Sequence, residues 1–189
     1  MEQAREAIFS SLAARVPGAR VLDLFAGSGS FGLEAWSRGA ASVTAVEKVS
    51  KHWKILQGNF QSLEPARSDF SASRRKGDTA VQCLEKNQDA ASVCLGAWQA
   101  VQADVYDFLK RAAGSFEFDL IFADPPYDET DLPKLLTTVG DVLAPDGLLI
   151  FEMRAFGRFT VSEGWTLLKE KKYGETRVLF LQPVKGAVK

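Results

Sequence analysis

The sequence predicts an α/β protein: an open, doubly wound sheet with helices on both faces and an antiparallel hairpin at its C-terminal end. Three observations carry this reading. Short apolar runs alternate with helical-period segments from residue 20 to residue 151, the pattern of repeated βαβ units. The run Phe118-Asp119-Leu120-Ile121-Phe122-Ala123 is apolar at nearly every position, as a strand covered on both faces must be. A glycine-rich turn follows the first run at once, where open α/β sheets place their ligand loops.

Each element follows from its local pattern. Ala4, Ile8, Phe9 and Leu12 recur at helical spacing within residues 2–15, before Pro17-Gly18 ends the run. Residues 20–24 (Arg-Val-Leu-Asp-Leu) read as the first strand, and residues 30–38 as a helix closed by Gly39. Residues 42–47 give a second strand, apolar at Val43, Ala45 and Val46, and residues 51–63 are helical. Residues 100–103 make a third strand, and residues 105–113 a helix turning Val105, Phe108 and Leu109 inward. The fourth strand is 118–123; residues 132–143 are helical, stopped by Pro145-Asp146-Gly147; residues 148–151 form the fifth strand. Residues 165–168 and 177–181, around Tyr173-Gly174, form the closing hairpin, which makes a Rossmann-like sheet of seven strands.

One stretch breaks the rhythm. Residues 64–97 open with polar Ser/Arg/Lys-rich sequence, hold no clear strand and contain one helix-compatible run, 79–91. They read as an insertion at a surface connection of a single domain spanning 1–189, where added length costs little closure entropy.

Bulk properties bound the function. A chain of 189 residues, 46% hydrophobic and 25% charged, has the composition of a globular domain with a proper core. No apolar run approaches the roughly 20 residues that span a bilayer, and Met1-Glu2-Gln3-Ala4-Arg5-Glu6 is too charged for a signal peptide. The expected location is therefore the cytoplasm, with no membrane partner. Two cysteines, Cys83 and Cys94, and one histidine, His52, suit neither a disulfide framework nor a multi-histidine metal site, so no metal is expected. A formal net charge of −1 does not advertise a nucleic-acid binder, although Arg74-Arg75-Lys76 and Lys169, Lys171 and Lys172 form local basic clusters.

Four constellations carry chemistry. Asp23-Leu24-Phe25-Ala26-Gly27-Ser28-Gly29-Ser30-Phe31-Gly32 places G-x-G-x-x-G directly after a strand and before a helix. Glycine allows the sharp turn and close approach of backbone to ligand. The loop by itself fits any nucleoside cofactor, but Asp23 chooses among them: a strand-end carboxylate accepts from the ammonium of a methionine moiety and repels the phosphates of a dinucleotide. The plainer alternative is that Asp23 satisfies local backbone amides. Glu47, ending the second strand 15 positions after Gly32, can accept both ribose hydroxyls of an adenosine. Asp104, ahead of Val105, can accept from an adenine amino group and is equally a good helix N-cap.

The fourth constellation is Asp124-Pro125-Pro126-Tyr127, at the end of the apolar fourth strand. Asp124 can accept from an exocyclic N–H and so direct the nitrogen lone pair. The prolines lack N–H and hold a fixed φ, which leaves the Pro125 carbonyl presented for the second amino proton. Tyr127 offers a face for a base to stack on, worth roughly 1–3 kcal/mol in single-strand recognition. Together the four groups point to S-adenosylmethionine and methyl transfer to an amino nitrogen of a base.

With these residues in place the chain resembles the bacterial 16S rRNA (guanine-N2)-methyltransferases. The resemblance rests on Arg5-Glu6-Ala7-Ile8-Phe9, the Asp23-to-Gly32 loop, Val46-Glu47-Lys48, Asp124-Pro125-Pro126-Tyr127 and Tyr173-Gly174-Glu175-Thr176. It implies a class I methyltransferase fold, with Asp124, Pro125 and Tyr127 as catalytic residues. The implied cofactor site comprises Asp23, Phe25, Ala26, Gly27, Ser28, Gly29, Glu47, Lys48, Asp104 and Val105. The implied partner is 16S rRNA or a small-subunit ribosomal particle, and a monomer is expected. The chain departs from the family pattern in the long 64–97 stretch and in starting without the basic hairpin and Thr-Arg-Pro segment that usually precede the first helix. Guanine N2 and adenine N6 are both exocyclic amines, so an adenine-N6 DNA methyltransferase remains an alternative, as does a non-catalytic RNA-binding subunit that keeps the cofactor fold. A dinucleotide-dependent oxidoreductase would leave the Asp-Pro-Pro-Tyr turn without a role.

Overall fold

A computed structural model describes residues 2–63, 97–126, 132–156 and 160–184. The elements run α1 (Glu2–Ser11), β1 (Arg20–Leu24), α2 (Ser30–Ser37), β2 (Ser42–Glu47), α3 (Ser50–Leu63), β3 (Ala97–Gln102), α4 (Val105–Ala112), β4 (Phe118–Ala123), α5 (Leu132–Gly140), β5 (Leu143–Arg154), β6 (Trp165–Tyr173) and β7 (Thr176–Pro183). The seven strands form one sheet in the order β3-β2-β1-β4-β5-β7-β6. The first five are parallel, while β7 runs antiparallel to both β5 and β6. The chain thus has the doubly wound class I sheet with its C-terminal antiparallel hairpin. Strand order reverses between β1 and β4, and in open α/β sheets the crevice beyond the carboxyl ends of such a pair is where ligands bind.

The two-residue period of the strands sorts side chains into two cores. Val21, Val43, Ala45, Leu120, Phe122, Leu148, Ile150, Val178 and Phe180 face α1, α2 and α3. Leu22, Leu24, Val46, Ile121, Ala123, Leu149, Phe151 and Leu179 face α4 and α5. Phe122 anchors the first core between Phe9, with centroids 5.3 Å apart, and Phe31, stacked at 5.1 Å. Burying one such ring fully stabilises the fold by about 1.5–3 kcal/mol, which is why α1 docks despite a polar outer face.

Several boundaries differ from the sequence reading, three of them with a clear local cause or pairing. α1 stops at Ser11 and gives way to turns through Val16, whose N–H donates to the Leu12 carbonyl. β3 begins at Ala97, paired with Ser42, three residues before the expected start. β5 starts at Leu143, so Pro145-Asp146-Gly147 lies within its span. There the register jumps, with Phe118 opposite Leu143 and Leu120 opposite Leu148. Pro145 has no N–H for a ladder, so the chain bulges around it and then rejoins β4. The remaining residues assigned to the 64–97 insertion, 64–96, lie outside the described residues, as does Tyr127. Among the described residues no helix is long and apolar enough to cross a membrane.

Candidate active site

Four acids share one face of the sheet at its carboxyl edge. Val21, Ala45, Phe122 and Ile150 point toward the α1–α3 core, and two residues further along each strand come Asp23, Glu47, Asp124 and Glu152. They belong to β1, β2, the end of β4 and β5, which are consecutive neighbours in the sheet once taken as β2-β1-β4-β5.

The loop after β1 has unusual backbone. Phe25, Gly27 and Gly29 have φ of 57°, 55° and 85°, all in the left-handed region. For Phe25 this is strained, of the order of 1–3 kcal/mol, and such strain collects at functional turns. Several bonds hold the loop: the Ala26 N–H donates to the Val46 carbonyl at 3.0 Å, and the Gly29 N–H to the Ala26 carbonyl at 2.7 Å. Asn59 of α3, which sequence pattern alone did not single out, donates from Nδ2 to the Ser28 carbonyl at 3.0 Å.

Asp23 is 2% exposed, and its Oδ2 accepts from the Gly32 N–H at 2.8 Å. The plainer alternative for Asp23 is therefore real: it serves an amide at the start of α2, whose N-cap, Gly29, has no side chain to do so. A Cβ on Gly32 would sit 3.1 Å from that oxygen and 3.0 Å from Val43 Cγ1, which is why glycine stands there. Burial pushes the Asp23 carboxyl up to about 8; the Gly32 bond opposes this, and the charges of Asp124 and Glu47 add to it. A cation placed beside it would favour its charged form.

Glu47, 7% exposed, accepts from the Gly27 N–H at 2.8 Å and from the Val49 N–H at 2.7 Å. It therefore ties the β1 loop to the end of β2. Asp104 caps α4 by accepting from the Tyr106 and Asp107 amides, and its second oxygen takes Lys48 Nζ at 3.2 Å. Burial works to raise its pKa, but the bonds from Lys48 and the two amides outweigh this and hold it below the usual carboxylate value. Val105 buries its side chain in the α4–α5 core, so what it can offer a ligand is its N–H, among the donors left free at a helix start. Ala26 is buried, and Phe25 packs partly against the α4–α5 core.

Across the switch point, Asp124 is half-buried and makes no hydrogen bond to another described residue. Burial raises its pKa. Pro125 is buried and Pro126 exposed. Glu152 is the acid that sequence reading missed; it sits inside an apolar strand, and no local motif marks it. It is 3% exposed, and its Oε1 has no hydrogen-bond partner among the described residues. The structure thus brings together Asp23, Phe25 to Gly29, Glu47, Lys48 and Asp104 on one side, and Asp124 and Pro125 on the other.

These residues suit S-adenosylmethionine. A Cβ on Gly27 would meet nothing within 4 Å, so the loop borders open space above the strand ends. Around that space stand Asp23, which could take an ammonium, Glu47 at the end of β2, which could take ribose hydroxyls, and Asp104 after β3, which could take an adenine amine. A doubly wound sheet with this loop and an Asp-Pro-Pro turn at its switch point defines a class I S-adenosylmethionine-dependent methyltransferase. The chain belongs to the family described as Conserved hypothetical protein 95, whose model matches residues 1–80 and 72–182.

Relatives agree. Ribosomal RNA small subunit methyltransferase D of Escherichia coli is 30% identical over 178 residues, 92% of this chain and 73% of that protein. The protein of the same name from Haemophilus influenzae is 27% identical over 175 residues, 92% of this chain and 76% of that one. Among solved structures, the yhhF protein of Escherichia coli, a proposed methyltransferase, superposes with a TM-score of 0.71 at 27% identity, covering 97% of this chain and 85% of its own. A 16S rRNA methyltransferase of T. thermophilus, solved with AdoMet and guanosine, shares the fold at a TM-score of 0.60 and 23% identity, over 95% of this chain and 41% of its own.

Proposed function

We propose that this chain transfers a methyl group to the exocyclic N2 of a guanine in small-subunit ribosomal RNA. The observation that carries the reading is Asp124: a half-buried carboxyl at the switch point, beside a buried proline and free of hydrogen bonds to other described residues. S-adenosylmethionine supplies the methyl on a sulfonium, already activated for in-line displacement. The protein's own task is then proximity and orientation.

Asp23 takes the ammonium, Glu47 the ribose hydroxyls and Asp104 the adenine amine, with Lys48 holding Asp104 in place. The backbone from Phe25 to Gly29 and the Val105 N–H line the cofactor. Asp124 and the Pro125 carbonyl each accept one amino proton, which aims the nitrogen lone pair at the methyl. As the N–C bond forms and the S–C bond breaks, the nitrogen releases one proton. Asp124, with its raised pKa, receives that proton and passes it to solvent. Tyr127 stacks on the base, which has first left its helix.

Phosphate contacts would come from the hairpin side of the sheet edge. Lys169 and Lys171 pair with Phe180 and Val178, so they lie on the α1 face, whereas Lys172 pairs with Arg177 on the other. Lys169 is already engaged, donating to Ser11 Oγ at 3.2 Å. Phe156, 81% exposed with Lys172 Nζ 4.6 Å from its ring centre, follows β5 on the same edge. A divided basic cluster on a chain of net charge −1 favours a protein-bearing ribosomal particle over naked RNA as substrate. Action as a monomer in the cytoplasm, without a metal, completes the reading.

Methyl transfer from labelled donor to naked 16S rRNA, to small-subunit particles and to duplex DNA tests it. N2-methylguanine from RNA or particles is expected. N6-methyladenine from DNA alone would move the enzyme to the DNA adenine class. Residues 64–96 are proposed as a dispensable insertion, since α3 ends at Leu63 and β3 begins at Ala97. Unfolding after its replacement by a short linker would refute that.

A further inference from the structure

Glu152 is unusual for its surroundings. Ala123 of β4 pairs with Phe151 of β5, so the next position along places Glu152 beside Asp124. Its own partner on β7 is Val178, fully buried and apolar. The preceding residues on the same face of β5, Leu148 and Ile150, are also buried and apolar. A leucine or valine would fill such a place without desolvating a carboxyl group. Buried acids are retained where something satisfies them. Here Oε1 has no partner among the described residues, and at 3% exposure bulk water does not reach it.

Two acids in register on adjacent parallel strands, whose backbones run about 4.8 Å apart, form a pair of acceptors. Guanine presents two adjacent donors on one edge, the N2 amino group and N1–H. Adenine presents its N6 amino group beside N1, which is an acceptor. We infer that Glu152 is the specificity-determining residue of the base site, accepting N1–H of guanine while Asp124 accepts from the amino group. This rests on the methyl-transfer reading above and extends it to the choice of base, which the Asp-Pro-Pro-Tyr turn leaves open. Burial, and then the charge of Asp124, push the Glu152 carboxyl up to about 7 against the opposing charge of the N-terminus, and a donor placed beside it favours its charged form. A site whose acceptor is left unpaired by the wrong base rejects that base strongly.

The test uses the full chain, Glu152→Leu and Glu152→Gln, with small-subunit particles as substrate. Both variants are expected to bind S-adenosylhomocysteine as the wild type does, by calorimetry. The leucine variant is expected to melt at the same temperature or higher, because a buried unpaired carboxyl is gone. Its kcat/KM for N2-methylguanine formation should fall roughly 100-fold, while the glutamine variant, whose carbonyl still accepts, falls less. Nucleoside analysis should show a larger share of N6-methyladenine from the leucine variant. If the wild type makes N2-methylguanine and the leucine variant matches it, Glu152 has no part in base choice and the inference is overturned alone. A leucine variant that melts lower or loses S-adenosylhomocysteine assigns Glu152 to fold or cofactor and also overturns it. If the wild type makes no N2-methylguanine, the functional reading falls first and takes this inference with it.

Discussion

The two sides of the switch point treat their acids differently. On the cofactor side, at β1 to β3, each carboxylate already has protein partners: Asp23 the Gly32 amide, Glu47 the Gly27 and Val49 amides, Asp104 two helix amides and Lys48. On the base side, at β4 and β5, Asp124 and Glu152 have none among the described residues. The contrast separates acids the protein already engages from acids it leaves open. The cofactor side is organised in advance, so a ligand there meets fixed groups and loses little to reorganisation. The other side carries a half-buried carboxyl, Asp124, and a buried one, Glu152, that no described residue engages.

The largest effect that can break this contrast lies at Asp124. Asp124→Ala is expected to lower turnover on the order of 100-fold or more, because the amino group loses its orientation, while S-adenosylhomocysteine affinity stays unchanged by calorimetry. Near-normal turnover would remove Asp124 from the mechanism and erase the division between the two sides. Glu47→Ala should do the reverse. Removing charged hydrogen-bond acceptors from Gly27, Val49 and the ribose should weaken S-adenosylhomocysteine binding roughly 10- to 100-fold. Tighter binding of NAD than of S-adenosylhomocysteine by the wild type would instead undo the cofactor assignment itself.

Gly29→Ala tests preorganisation of the loop. At φ 85° an L side chain is strained, and the added methyl runs into the Leu56 side chain. A loss of about 1–2 kcal/mol is expected, read as a lower melting temperature together with weaker cofactor binding. An unaltered melting curve would mean that the loop relaxes freely.

The last effect is one of pH. The Asp23 carboxyl is raised to about 8 in the fold, while in the unfolded chain it titrates near 4. Between these values unfolding releases a proton, so stability is greatest at the acid end and falls as pH rises toward 8. Asp23→Asn should flatten that slope in thermal melts taken across the window. Cofactor binding should act in the same direction on the proton: an ammonium beside Asp23 favours its charged form. S-adenosylhomocysteine binding at pH 7 is then expected to release protons, visible as binding heats that vary with the ionisation heat of the buffer. Heats independent of buffer would separate Asp23 from the ammonium.

The sequence by itself determined the sheet and marked most of the residues that the fold gathers at its carboxyl edge. Alternating apolar runs located all seven strands, because a strand buried on both faces has almost no freedom of composition, as Phe118–Ala123 shows. The glycine loop, Glu47 and the Asp-Pro-Pro-Tyr turn were visible because backbone geometry and chemistry restrict those positions to few residue types. Strand ends were less visible: Pro145 read as a stop, yet β5 passes through it, since a bulge lets the chain skip a residue that cannot donate. The dual duty of Asp23, cap for α2 and acid of the site, also required the fold, which sets Gly32 against it. Asn59 and Glu152 were invisible for one reason. Asn59 acts on Ser28, 31 residues away. Glu152 acts beside Asp124 only because β4 and β5 pair in one particular register. A residue's own neighbours in sequence carry no record of what lies across the next strand, so only the tertiary structure decided that the base side of this site holds two acids and not one.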